Sequence, residues 1–290
     1  MFFAATAVLC ACNKDEEITR PTESGDDEQR CIVYEYCPAP GQFINQSFEA
    51  SSAEEARLYA EQTLNAERQT YLSLGGFGGY IVVGFGRSIV SSGDYDFAVA
   101  GNSFSNSSEP GIVYVMQDEN ANGVPDDIWY ELRGSEYDND EVVASYEVTY
   151  MRPESDFQPV EWRDNMGGSG QIERITVHQQ PSYYPSWITA ESYTLRGKRL
   201  PTNAYIDPDR QSDNGDYWVL SHFDWGYADN AGENGDKFRI ADAADTEGRA
   251  VNLRYIDFIK VQTSVNAQCG PLVGELSTEV CRFRDLTYNK

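Results

Sequence analysis

Histidine is nearly absent from this 290-residue chain: there are two, His178 and His222. No CxxC pair accompanies them, so a Cys/His zinc site has too few ligands. The sequence has no GxSxG elbow, no HExxH and no SxxK, which removes the common signatures of serine hydrolases, zinc proteases and β-lactamases. Cations are scarce as well. Lys and Arg number 22 against 47 Asp and Glu, for a formal charge of −25 and a pI near 4.3. A field of that sign repels phosphate backbones and anionic bilayers, and nucleic acid is excluded as an expected partner. No apolar run approaches the roughly 18 residues of a membrane-spanning helix.

The chain is well supplied with aromatics, including 19 Tyr, 13 Phe and 5 Trp. Together with its β-branched residues they can build a core too large for a disordered protein. The first eleven residues read as the apolar part of a secretion signal, without its positive n-region, which points to a start a few codons too late. Leu9-Cys10-Ala11-Cys12 is similar to a lipobox, with cleavage before Cys12 and lipidation of its thiol. Asn13-Lys14-Asp15-Glu16-Glu17 then resembles the export signal that sends lipoproteins of some Gram-negative gut bacteria to the outer face of the outer membrane. Residues 12–30 read as a flexible tether, so contact with the membrane is expected through the lipid alone. The other four cysteines, Cys31, Cys37, Cys269 and Cys281, fit two disulfides in an oxidising compartment. Local pairs are the simplest of the three connectivities; a bridge from the N-terminal segment to the C-terminal tail is the alternative.

One helix is expected, from Ser52 to Leu72, with Ser52 and Glu55 as a capping box and Ala56, Tyr59, Ala60, Thr63 and Leu64 on one face. Strand patterns follow: Cys31–Cys37, Ile81–Phe85, Tyr95–Ala100, Ile112–Gln117, Trp129–Leu132, Tyr146–Tyr150, Ile172–His178, Trp218–Ser221 and Ile256–Thr263. Many short strands separated by Gly, Asn, Asp and Pro predict an all-β fold, a jelly-roll-like β-sandwich with one N-terminal helix packed on it. We expect a ligand-binding domain over residues 31–265 and a disulfide-containing tail over 266–290.

Residues 118–127, DENANGVPDD, match the opening of an EF-hand-type calcium loop. Asp118, Asn120 and Asn122 alternate inward, Gly123 permits the turn, Val124 offers its carbonyl, and Asp126 or Asp127 closes the shell. Position twelve is Trp129 where an EF-hand has Glu, so Glu131 or a distant residue must complete the coordination of a structural Ca²⁺. A second acidic stretch, including Asp224 and Asp229, can hold another cation or form a binding rim. Trp162, Trp187, Trp218 and Trp225 lie in or near loops with Tyr183, Tyr184 and Tyr227. Of these, Trp187, Tyr183, Tyr184, Trp225 and Tyr227 are the expected ligand contacts, able to stack on sugar rings or a flat macrocycle.

Several segments together carry a resemblance: Pro38–Asn45, Gly78–Phe85, Asp94–Phe97, Asn102–Phe104, Ser108–Val113, Asn120–Glu131 and Gly134–Tyr137. As a set they resemble a family of gut-bacterial surface lipoproteins, often labelled cell surface or PKD-domain-containing proteins. A PKD module is much smaller than this chain and is not expected here. The resemblance implies a jelly-roll-like sandwich with a cation-binding loop. It also implies partnership with a TonB-dependent outer-membrane transporter, including transporters in vitamin B12 loci. The function expected is non-enzymatic capture of a small nutrient, corrinoid before glycan. An extracellular glycan hydrolase and a structural subunit of a surface complex are the alternatives.

Overall fold

A computed structural model describes residues 29–68, 70–212, 215–232 and 237–288. The expected leader, Cys12 and residues 12–28 of the tether lie outside the described residues. The fold is an all-β sandwich. Its larger layer is a six-stranded antiparallel sheet in the order Ile32–Cys37, Tyr80–Gly84, Phe258–Thr263, Gly111–Met116, Trp129–Leu132 and Ala243–Ala244. A three-stranded sheet centred on Phe97–Ala100 packs over one face of it. Between them lies the main core, built from Ile81, Val113, Val115 and Val261 on one side and Phe97, Val99 and Phe283 on the other. A four-stranded sheet centred on Val143–Met151 and Val160–Asp164 has its own aromatic core, which includes Phe77, Tyr146 and Tyr150. Among the described residues no helix is long and apolar enough to cross a membrane.

The helix runs Ala53–Leu64, with Ser52 capping the N–H of Glu55 at 3.1 Å. It is one face of Ala56, Ala60, Thr63 and Leu64 that is buried, as the spacing predicts. It stops at Asn65, seven residues before the expected end at Leu72. Asn65 is needed elsewhere: its amide accepts the N–H of Cys31 at 3.0 Å and donates to the carbonyl of Cys31 at 2.8 Å. One turn earlier, Glu61 accepts the N–H of Val33 and Arg57 donates to its carbonyl. Side chains of the helix thus satisfy the outward polar groups of the sheet's edge strand, which would otherwise be open to pairing with another chain.

That edge strand departs from simple alternation. A bulge between Val33 and Glu35 shifts the register, so Val33 and Tyr36 both pack toward the main core while Tyr34 meets Phe258 on the opposite face. Ile32, Tyr34 and Tyr36 therefore do not share a face. Residues 173–178 of the expected Ile172–His178 strand form an irregular loop with a turn at 176–177, and only Ile172 belongs to a strand.

The chain from 266 onward is no appendage. Glu279–Val280 pairs with Leu72–Ser73, Arg282–Asp285 pairs with Phe97–Ala100, and Cys269, Leu276, Val280 and Phe283 are buried. The domain therefore extends to the end of the described chain. Local pairing of Cys31 with Cys37 is also ruled out. They bracket an extended strand, which sets their Cα atoms roughly 20 Å apart, whereas a disulfide needs less than about 7 Å. Cys31, Cys37 and Cys269 are thiols in this structure. Burial pushes Cys31 and Cys269 up to about 12 and Cys37 up to about 11.

Candidate binding groove

The face of the large sheet turned away from the main core carries a row of cross-strand neighbours. Lys260 pairs with Tyr114, Tyr114 with Glu131, and Glu131 with Ala244. Side chains at paired positions project to the same face. Two residues along, on the same face, Trp129 stands opposite Met116. The strand Ser192–Arg199 and the loop through Tyr137 rise beside this row and enclose a groove of about 550 Å³. Its size is within the range of small-molecule sites.

The electrostatics of the groove are unlike those of the chain as a whole. Two lysines lie on its floor and wall in a protein with a large excess of acid. Lys198 meets Glu131 at 2.6 Å, both side chains being largely buried, and its ammonium is 4.0 Å from the centre of the Tyr137 ring. Lys260 lies 4.6 Å from the Tyr80 ring and 5.3 Å from Tyr114. Burial holds the Lys260 ammonium below the usual lysine range, with Glu35 and Cys37 opposing. Burial also raises the Glu131 carboxyl, although Lys198 pulls the other way. At the rim, Arg196 pairs with Glu147 at 2.7 Å.

Close approach of the wall depends on Gly197. A Cβ there would fall 2.5 Å from the side-chain oxygen of Gln262, whose amide bridges the carbonyls of Gly78 and Arg196. The groove can therefore receive a ring-bearing ligand against Tyr114, Trp129 and Tyr137 while two ammonium groups meet its oxygens. The carboxylates that line the groove, Glu131, Glu147 and Asp245, are each paired with a cation: Lys198, Arg196 and Arg249. His178 is remote, bonded to Gln46 and packed edge-on against Phe43.

The expected aromatic contacts do not converge. Tyr183 and Tyr184 are core residues; Tyr183 takes the N–H of Ile175 and donates to the carbonyl of His178, and Tyr184 donates to that of Ala190. Tyr227 is buried against Gly134 and accepts the N–H of Glu136. Trp187 is half-buried beside Tyr36 and lines a separate pocket of about 120 Å³ with Phe43, Phe48, Tyr59 and Tyr71. Trp225 borders a crevice of about 20 Å³, too small for a nutrient. Trp162 and Trp218 lie on strands.

Residues 118–127, the expected calcium loop, form a turn closed by its own hydrogen bonds. Asp118 accepts the N–H groups of Asn122 and Gly123, Asn120 accepts that of Asn122, and Asn122 reaches both oxygens of Asp126. Gly123 has φ +74°, a conformation open to glycine. The Asn122 oxygen takes the N–H of Val124, so Asp118, Asn120, Asn122 and Asp126 are joined by hydrogen bonds within the loop. The Val124 carbonyl takes the N–H of Asp126 and Asp127 takes that of Glu119. Glu131 is committed to Lys198 and does not complete this loop. Asp257, at the bend between the strands Tyr255–Ile256 and Phe258–Thr263, is the residue that approaches: it accepts the N–H of Asp118 at 2.8 Å. The loop leads directly into Trp129.

Tyr114, Tyr137, Lys198 and Lys260 escaped sequence reasoning because they lie far apart in the chain and each looks like an ordinary strand or loop residue. The one usable signal is a charge: Lys260 stands between the apolar Ile259 and Val261. The chain matches no protein-family model, and no curated protein is similar to it.

Proposed function

We propose that this chain is a surface-exposed, lipid-anchored binding protein that captures a small nutrient for an outer-membrane transporter, with the groove over Tyr114, Trp129 and Lys260 as its binding site. The observation that carries this reading is the groove itself: aromatic faces and two ammonium groups gathered on one sheet of a strongly acidic molecule. A corrinoid offers the matching chemistry, a flat macrocycle fringed with amide carbonyls and a phosphodiester. A glycan, with its ring faces and oxygens, is the second ligand class. Ca²⁺ in the 118–127 loop would fix the start of the strand that presents Trp129. The lipobox-like Cys12 supports the anchor, and the resemblance to transporter-associated lipoproteins supports a TonB-dependent partner.

Titration calorimetry with cyanocobalamin and with a glycan panel tests the site. Micromolar or tighter binding to one of them is expected, weakened at least tenfold, or about 1.4 kcal/mol, by Trp129→Ala and by Lys260→Ala. Binding to neither ligand would overturn the reading. Product release from the glycan panel, abolished by Glu131→Gln, would replace it with the hydrolase. Mass spectrometry of the mature protein should find diacylglycerol on Cys12.

A further inference from the structure

Glu109, Asp229 and Glu279 come together from three separate parts of the chain. Glu109 precedes the strand Gly111–Met116, Asp229 lies in the loop after Gly215–Leu220, and Glu279 is in the C-terminal strand Glu279–Val280. One oxygen from each lies within 4.8 Å of the others. Asp229 and Glu279 are buried, at 2% and 1% exposure. Among the described residues no Lys, Arg or His forms an ion pair with any of the three.

Their neighbours are neutral donors. Asp229 takes the N–H groups of Asn102, Ser103 and Glu279. Glu109 takes the N–H of Ser277, and one oxygen of Glu279 takes the Ser277 hydroxyl at 2.7 Å. The second oxygen of Glu279 is buried and receives no N–H or O–H. A buried carboxylate oxygen without a donor is costly, and it belongs to a side chain that reaches two further carboxylates. Burial raises Glu109 above the usual carboxylate range and Asp229 and Glu279 well above it, and mutual repulsion adds to the rise at Asp229 and Glu279.

We propose that Glu109, Asp229 and Glu279 bind a divalent hard cation, distinct from the 118–127 loop, that ties the C-terminal segment to the sandwich. Ca²⁺ bonds of 2.3–2.6 Å place opposite ligands up to about 5 Å apart, which accommodates the observed oxygen spacing. An all-oxygen set favours calcium, magnesium or manganese over softer metals. The competing occupant is a proton shared by Glu109 and Glu279, whose carboxyl groups face each other.

The purified full chain, stripped with EDTA, is dialysed against equal calcium, magnesium and manganese, and the bound metal is counted by plasma mass spectrometry. Glu279→Gln and, separately, Glu109→Gln should each bind one equivalent fewer than the unsubstituted chain, with near-ultraviolet circular dichroism confirming the fold. Asp126→Asn addresses the loop alone and should leave that one-equivalent difference intact, so failure of either site is seen separately. Equal metal content in the unsubstituted chain and in a folded Glu279→Gln or Glu109→Gln variant would overturn the proposal in favour of the shared proton.

Discussion

Glu275 shows how one buried residue shapes the pH response. It is 1% exposed, accepts the N–H of Gln42 at 2.6 Å, and its carboxyl is pushed up to about 8, chiefly by burial. The folded form therefore retains a proton that the unfolded chain releases near the ordinary glutamate value of 4.5. A folded pKa above the unfolded one gives stability that is full below pH 4.5 and lost as pH rises through about 8. Glu275→Gln keeps the acceptor for Gln42 and cannot ionise. Its urea-unfolding free energy should fall less steeply with pH across that window, by up to about 1.4 kcal/mol per pH unit. Parallel pH profiles for the two proteins would refute the assignment. Tyr183 and Tyr184 teach a related lesson at this scale. Aromatics next to Pro and Ser read as loop-tip ligand contacts, but here the hydroxyls satisfy local carbonyls and the rings fill the core.

The helix and the edge strand form one element pair in which side chains stand in for a neighbouring strand. Asn65 makes two hydrogen bonds to Cys31 and a third to the carbonyl of Glu61. Asn65→Ala should cost about 2 kcal/mol by urea denaturation, given roughly 1 kcal/mol per net hydrogen bond. Ser52→Ala, which removes only the N-cap, should cost about 1 kcal/mol. Equal losses would mean that Asn65 acts only as a helix terminator. The start of this helix was legible in Ser52 and Glu55, and its buried face in the spacing of Ala56, Ala60 and Leu64. Its end was not, since Asn65 stops the helix through a contact with a residue 34 positions earlier. The bulge after Val33 was hidden for the same reason.

Across the whole molecule, the segment from 266 onward completes two sheets. Deleting residues 266–290 would strip Leu276, Val280 and Phe283 from the cores. At roughly 1.5–3 kcal/mol for each large apolar side chain, plus the lost strand pairing, the deficit rivals the 5–15 kcal/mol that holds a typical domain folded. The truncated chain should show no cooperative thermal transition and should be digested rapidly by protease. A stable, cooperative 31–265 fragment would restore the sequence-based boundary. Cys269 and Cys281 suggest a bridged tail, but the segment is held by strand pairing. Its strands are short, and Glu279–Val280 finds its partner at Leu72–Ser73, which no local pattern announces.

The amino-acid order alone determined whatever depends on neighbours within a few residues. The strand-rich class, the helix start and the coil of Asp118 to Asp126 follow from local hydrogen bonding and side-chain periodicity. The groove of Tyr114, Trp129 and Lys260 and the cluster of Glu109, Asp229 and Glu279 were decided by tertiary structure. Each unites residues from distant segments, and only the register of paired strands fixes which side chains share a face.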